Sequence, residues 1–130
     1  MLLSEDRKAL LNSIDVDTWK EQEEILDHPA RIKLVAGGER AGKSFLGALS
    51  IISKLDEFQP NDVVWLVARD YERTRAEWNY LTDMLGKLGF LVKQTKRIDP
   101  GEMQVVCGTT EVPGTFTIKT KSANDYRSLA

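Results

Sequence analysis

The residues with the clearest chemical content are Gly37 to Ser44, GGERAGKS. They fit G-x-x-x-x-G-K-[ST] at every fixed position, the spacing of a loop that binds phosphate. At ordinary residue frequencies a chain of this length holds that pattern by chance roughly 0.4% of the time. Each residue type has a physical task. Gly37, Gly38 and Gly42 let the backbone approach an anion and turn successive amides toward it, which a Cβ would block. A helix that begins inside the loop adds the amides of its first turn and the positive end of its dipole. Lys43 is placed to reach the β- and γ-phosphates as a point charge, and the Ser44 hydroxyl to ligate Mg²⁺. Arg40 either lies along the phosphates and neutralises developing charge or points outward into water. Glu39 is acidic beside a polyanion and is expected to point away. Ala41 and Phe45 complete the segment that contacts the ligand.

Such a loop needs a strand before it and a helix after it. RIKLVA, residues 31–36, supplies an apolar run that predicts the strand. From Lys43, the apolar residues Phe45, Leu46, Leu49, Ile52 and Leu55 keep helical spacing. After a turn at QPND, VVWLVA (63–68) is an uninterrupted apolar run, the mark of a parallel strand covered on both faces. Tyr71, Thr74, Trp78, Leu81, Leu85 and Leu88 then step by three and four, an amphipathic helix that Gly86 or Gly89 ends, with Trp78 in its core stripe. Strand–helix–strand–helix predicts an α/β fold. FLVKQT, MQVVCG and TFTIKTK read as further strands, with VPGT a turn before the last, and predict an antiparallel hairpin added to the parallel sheet.

Two helices are expected ahead of the loop. LSEDRKALLNSI forms the first, with Ser4 as a candidate N-cap. DVDTWKEQEEILDHP forms the second, where Thr18-x-x-Glu21 matches a capping box and Pro29 stops the helix near His28. The organisation is a helical lead-in (1–30), a loop-bearing strand–helix–strand–helix unit (31–89) and a strand-rich segment (90–130).

Composition excludes several function classes. One cysteine, Cys107, cannot form an internal disulfide, and with a lone His28 it leaves too few ligands for an ordinary zinc site. No apolar run approaches the ~18 residues of a membrane span, and no signal-peptide pattern opens the chain. Residues 1–30, 31–85 and 86–130 carry charges of −5, 0 and +3, a tilt too mild to mark a nucleic-acid-binding face. Hydrolysis also requires an Asp at the end of a second buried strand and a group that positions water. The nearest string, KLDE (54–57), continues the helix after the loop, where Asp56 and Glu57 read as solvated.

AGGERAGKSF, the strand and helix VVWLVARDYERTRAEW, and FTIKTKSANDYRSLA together resemble the ATPase domain of phage terminase large subunits, over about residues 17–130. The resemblance implies a P-loop NTPase of the ASCE or RecA-like class, with parallel core strands, present here in part. It implies ATP and Mg²⁺ as ligands and hydrolysis coupled to movement of double-stranded DNA into a capsid. It further implies a homo-oligomeric ring, a small terminase subunit and a capsid portal as partners, a nuclease domain beyond this chain, and the cytoplasm of an infected bacterium as location. Gln22 corresponds to the upstream glutamine that reads the adenine edge, with Trp19 packing nearby. Lys43 and Arg40 are the expected catalytic cations, although the family often carries its arginine where this chain has Glu39. Arg69, Arg73 and Arg75 face a neighbouring subunit or DNA, or else form a solvated helix start. In the family the strand bearing the Asp-Glu pair follows a segment like the last one quoted, so the chain is expected to be the front of such a subunit. Buried-type strands with open edges then make it marginally stable or self-associating.

Overall fold

The fold was obtained as a computed structural model, which describes residues 3–35, 42–94, 101–106, 114–124 and 127. The apolar run at 63–68 forms β1 (Val63–Ala68), the strand its composition requires. Its partners come from the last third of the chain: β2 (Leu91–Gln94), β3 (Glu102–Val106) and β4 (Thr115–Ser122). The sheet order is β1-β4-β3-β2. β1 lies parallel to β4, in register from Val63 opposite Thr117 to Ala68 opposite Ser122. The β2–β3 and β3–β4 pairs are antiparallel, so the expected hairpin is present and the α/β class holds.

Alternation along the strands sets the two faces. Phe116, Ile118, Thr120 and Ser122 of β4 are buried, as are Met103 and Val105 of β3. Two helices contribute most of the remaining core: α3 (Lys43–Ile52) through Leu46, Leu49 and Ile52, and α4 (Arg75–Leu88) through Trp78, Leu81, Met84 and Leu85, with Leu11 and Leu26 joining from the helices before them. Trp78 is thus a core residue, as its place in the helical stripe predicts. A 3₁₀ turn, Tyr71–Thr74, leads into α4 and is capped by the Asp70 side chain, which accepts from the Arg73 amide. Gly89, at φ +79°, ends α4 in the left-handed conformation that glycine tolerates.

Two expectations about strands need correction. The 63–68 run is covered on one face only: Val63, Trp65 and Val67 are exposed, while Val64 and Leu66 pack toward the core. Among the described residues β1 is also the end strand of the sheet, with no partner on its outer edge. The strand expected over 31–36 is not formed in its described part, residues 31–35. Ile32 and Leu34 are 86% and 95% exposed, so the segment's apolar pattern meets no covering surface and no ladder partner. The parallel pair is therefore β1 with β4, and residues 31–35 take no part in the sheet.

The lead-in helices are α1 (Ser4–Asn12) and α2 (Lys20–Asp27). Pro29 forces His28 into the β region (ψ 133°), which stops α2 where the sequence predicts. The expected caps are displaced by one residue. Ser4 is the first helical residue instead of the cap, and its Oγ donates to Glu23 Oε2 at 2.9 Å. Trp19, not Thr18, is the N-cap of α2, and the Trp19 amide donates to Gln22 Oε1 at 2.9 Å in place of Glu21. Thr18 Oγ1 donates to Glu23 instead. Arg7 is fully buried between the helices and donates through Nη2 to Glu23 and, at 2.8 Å, to Asp27 Oδ1. Among the described residues no helix is long and apolar enough to cross a membrane.

Candidate nucleotide site at the head of α3

The helix that must follow a phosphate loop begins where the motif requires. Gly42 is the N-cap of α3, and Lys43, Ser44 and Phe45 are its first three helical residues. Gly42 adopts φ +79°, ψ 20°, a left-handed conformation that costs an L side chain roughly 1–2 kcal/mol. Its carbonyl already accepts the Leu46 amide at 2.9 Å, so the helix is closed from its first turn. The glycine of the Gly-Lys-Ser triplet is thus fixed by backbone geometry and not by composition alone. Gly37, Gly38, Glu39, Arg40 and Ala41 lie outside the described residues.

Two helices hold α3 in place. Phe45 packs edge-on against Tyr80 of α4, with ring centroids 5.2 Å apart at 71°. Gly47 faces the same helix, where a Cβ would make ordinary van der Waals contact with Glu77 Cγ at 3.6 Å. From the other side comes α2. Gln22 is buried, and its Nε2 lies 3.8 Å from where a Cβ on Gly42 would stand. A residue 20 positions upstream is thereby brought to the loop's last glycine. Its Oε1 is occupied by the Trp19 amide, which fixes which end of the carboxamide faces Gly42. Trp19 itself is exposed, so the packing role implied for it is not seen.

Lys33 also belongs to this neighbourhood, and motif reasoning missed it. Its Nζ donates to the carbonyls of Ile25 (2.7 Å) and Leu26 (3.2 Å), at the end of α2. Burial, and then the nearby Lys54 charge, draw its pKa below the ordinary lysine value, with Asp27 opposing. A cavity of about 250 Å³ lies between these parts, lined by Ile25, Leu26, Lys33 and Val35 on one side and Lys43, Leu46, Gly47 and Ser50 on the other. A signal was present in the sequence: Pro29 has no N–H for the helix, and a lysine follows four residues later.

Elsewhere in the fold, the segments ARD and KSAN are adjacent. Ser122 Oγ and the Asn124 amide both donate to the Arg69 carbonyl, at 3.1 and 3.0 Å, and the Ala123 amide donates to the Ala68 carbonyl at 2.8 Å. The carboxyl ends of the two parallel strands therefore form one edge, the place where open α/β sheets bind ligands. Of the three arginines there, Arg73 is tied to Asp70 (Nε to Oδ2, 3.2 Å), while Arg69 and Arg75 are exposed. No group of three or more His, Cys, Asp or Glu side chains able to hold a metal occurs among the described residues.

No family model matches the chain, and no curated protein or solved structure matches it significantly.

Proposed function

We propose that this chain is the ATP-binding part of a viral DNA-packaging motor, a terminase large subunit that couples ATP hydrolysis to translocation of double-stranded DNA into a capsid. The observation that carries the reading is Gly42 in a left-handed conformation, capping a helix whose first residues are Lys43 and Ser44. The complete G-x-x-x-x-G-K-S string supports it. So does the buried Gln22 beside Gly42, the position that the terminase resemblance assigns to adenine recognition.

The residues present fit Mg²⁺-ATP. Gly37, Gly38, Ala41 and Gly42 supply small residues where the backbone must approach phosphate, and Lys43 supplies a cation for the β- and γ-oxygens. Ser44 provides a hydroxyl for Mg²⁺, a metal that keeps several waters and needs few protein ligands. When bound, the metal neutralises charge on the phosphates. Gln22 orients the base through its carboxamide, and Arg40 adds positive charge along the loop. A nuclease activity, a ring of identical subunits, a small terminase subunit, a capsid portal and action in the host cytoplasm go with the same proposal.

The same loop also suits a module that binds nucleotide without turning it over, since binding needs only the cradle whereas hydrolysis needs a further carboxylate and a positioned water. A helicase-type ATPase shares the loop and differs in its response to DNA. The deciding experiment is steady-state ATPase assay with and without double-stranded DNA, using Lys43→Ala as control. Turnover that rises with duplex DNA and vanishes in the variant supports the motor. Tight ATP binding with no turnover supports the module, and phosphoryl transfer to a metabolite would replace both readings with a kinase.

A further inference from the structure

Among the described residues β1 has a strand on one side only. The carbonyls of Asp62 and Ala68 accept the amides of Thr117 and Ala123, so the even-numbered residues of this stretch turn their N–H and C=O groups toward β4. Val63, Trp65 and Val67 alternate with them and turn theirs toward the open edge. The same three side chains stand on the uncovered face, 52%, 45% and 52% exposed. Lys121 Nζ, from β4, lies 5.1 Å from the centre of the Trp65 ring, on the side away from that edge. Backbone groups without a ladder partner and an exposed apolar row thus coincide on one strand.

That row is self-complementary. VVWLV reads nearly alike in both directions about Trp65, with a valine two residues away on each side and Val64 and Leu66 between. An antiparallel copy with Trp65 opposite Trp65 sets Val63 against Val67 on the open face and Val64 against Leu66 on the core side. The residues whose N–H and C=O groups face the edge then become the hydrogen-bonded pairs of the new ladder. The ends also match in charge. Arg69 comes beside Asn61 and Asp62 of the second copy, and Arg69 and Asp62 are both exposed, with no ion-pair partner among the described residues. We propose that β1 is a dimerisation strand: two copies of this chain join edge to edge, antiparallel, about a two-fold axis at Trp65, into one continuous sheet. A two-fold contact closes at two chains, so it differs from the head-to-tail contact that builds a ring, and it stands independently of the nucleotide reading.

Sedimentation velocity over a concentration series tests the pairing, with far-UV circular dichroism to check that each variant is folded. The unchanged chain should show a monomer–dimer equilibrium. Trp65→Lys and Trp65→Glu each put like charges opposite one another at the axis and should weaken dimerisation about tenfold or more. An equimolar mixture of the two puts a lysine opposite a glutamate and should recover the dimer, which non-specific adhesion would not do. Val63→Lys mixed with Val67→Glu repeats the test at the neighbouring pair, and decides the matter if a change at Trp65 disturbs folding. Val106→Lys, an exposed apolar residue of β3 on the same face, should leave the equilibrium unchanged. The proposal is overturned by a monomeric unchanged chain, by undiminished dimer in the Trp65 variants, or by mixtures that do not associate. It is equally overturned if Val106→Lys weakens the dimer as much as Trp65→Lys.

Discussion

Replacing Arg7 by methionine should destabilise the fold by roughly 2 kcal/mol, a value that follows from two opposing terms. Arg7 is fully buried and is the counter-charge of Glu23, whose side chain is only 10% exposed. Removing one partner of such a pair costs about 3–5 kcal/mol, because the other charge is left in a poor solvent. Asp27 adds little, being 42% exposed and well screened. Against this, Nε and Nη1 of Arg7 are buried without a hydrogen-bond partner among the described residues. Deleting them relieves a desolvation cost of about 1–3 kcal/mol. The double variant Arg7→Met with Glu23→Leu should recover most of the loss, since an apolar pair of similar volume is often no worse than a buried ion pair. Urea unfolding followed by far-UV circular dichroism measures all three differences. The reasoning fails if Arg7→Met lies within about 0.5 kcal/mol of the unchanged chain, or if the double variant is less stable than the single one.

Three further outcomes follow from the same geometry. Burial pushes the Glu23 carboxyl up, but hydrogen bonds from Thr18, Arg7 and Ser4 and the Arg7 charge outweigh it, holding the group below the usual range. Its stabilisation is present above the unfolded pKa of about 4.3 and lost as pH falls through the lower folded value, so Glu23→Gln should flatten the acid limb of a stability–pH curve. Gly42→Ala should lose roughly 1 kcal/mol in thermal or urea unfolding, because φ +79° is strained for alanine, and should weaken ATP binding in titration. Val67→Lys, on the exposed face of the open edge strand, should reduce any self-association seen by sedimentation, as lysine does on natural sheet edges.

The parts of the fold legible in the sequence were those whose patterns are satisfied locally. The α4 stripe needs only one apolar surface to pack on, and β4 announces its faces by alternation of Phe116 and Ile118 with Thr115, Thr117 and Lys119. Pro29 stops α2 through its own ring, independent of the rest of the chain. The segment 31–35 misled because an apolar run specifies a strand only if a ladder partner and a covering face exist, and here neither meets it. The capping box shifted by one residue because Thr18 has a better partner in Glu23, which is itself drawn toward Arg7. A buried Arg7 leaves no trace in a periodicity, since a cation in a short acidic helix reads as surface. In the candidate site, the start of a helix at Lys43, directly after Gly42, was legible from spacing alone. The placement of Gln22 against Gly42 was not, because it depends on how α2 packs on α3, and Lys33 required knowing which carbonyls Pro29 leaves without donors.

The most direct test of the central claim is calorimetric titration of the chain with Mg²⁺-ATP, repeated for Lys43→Ala. Saturable one-to-one binding is expected, weakening by about tenfold to a hundredfold when the lysine is removed, the loss of one charge-assisted contact to phosphate. Absence of binding in the unchanged chain, or equal affinity in the two proteins, would contradict it.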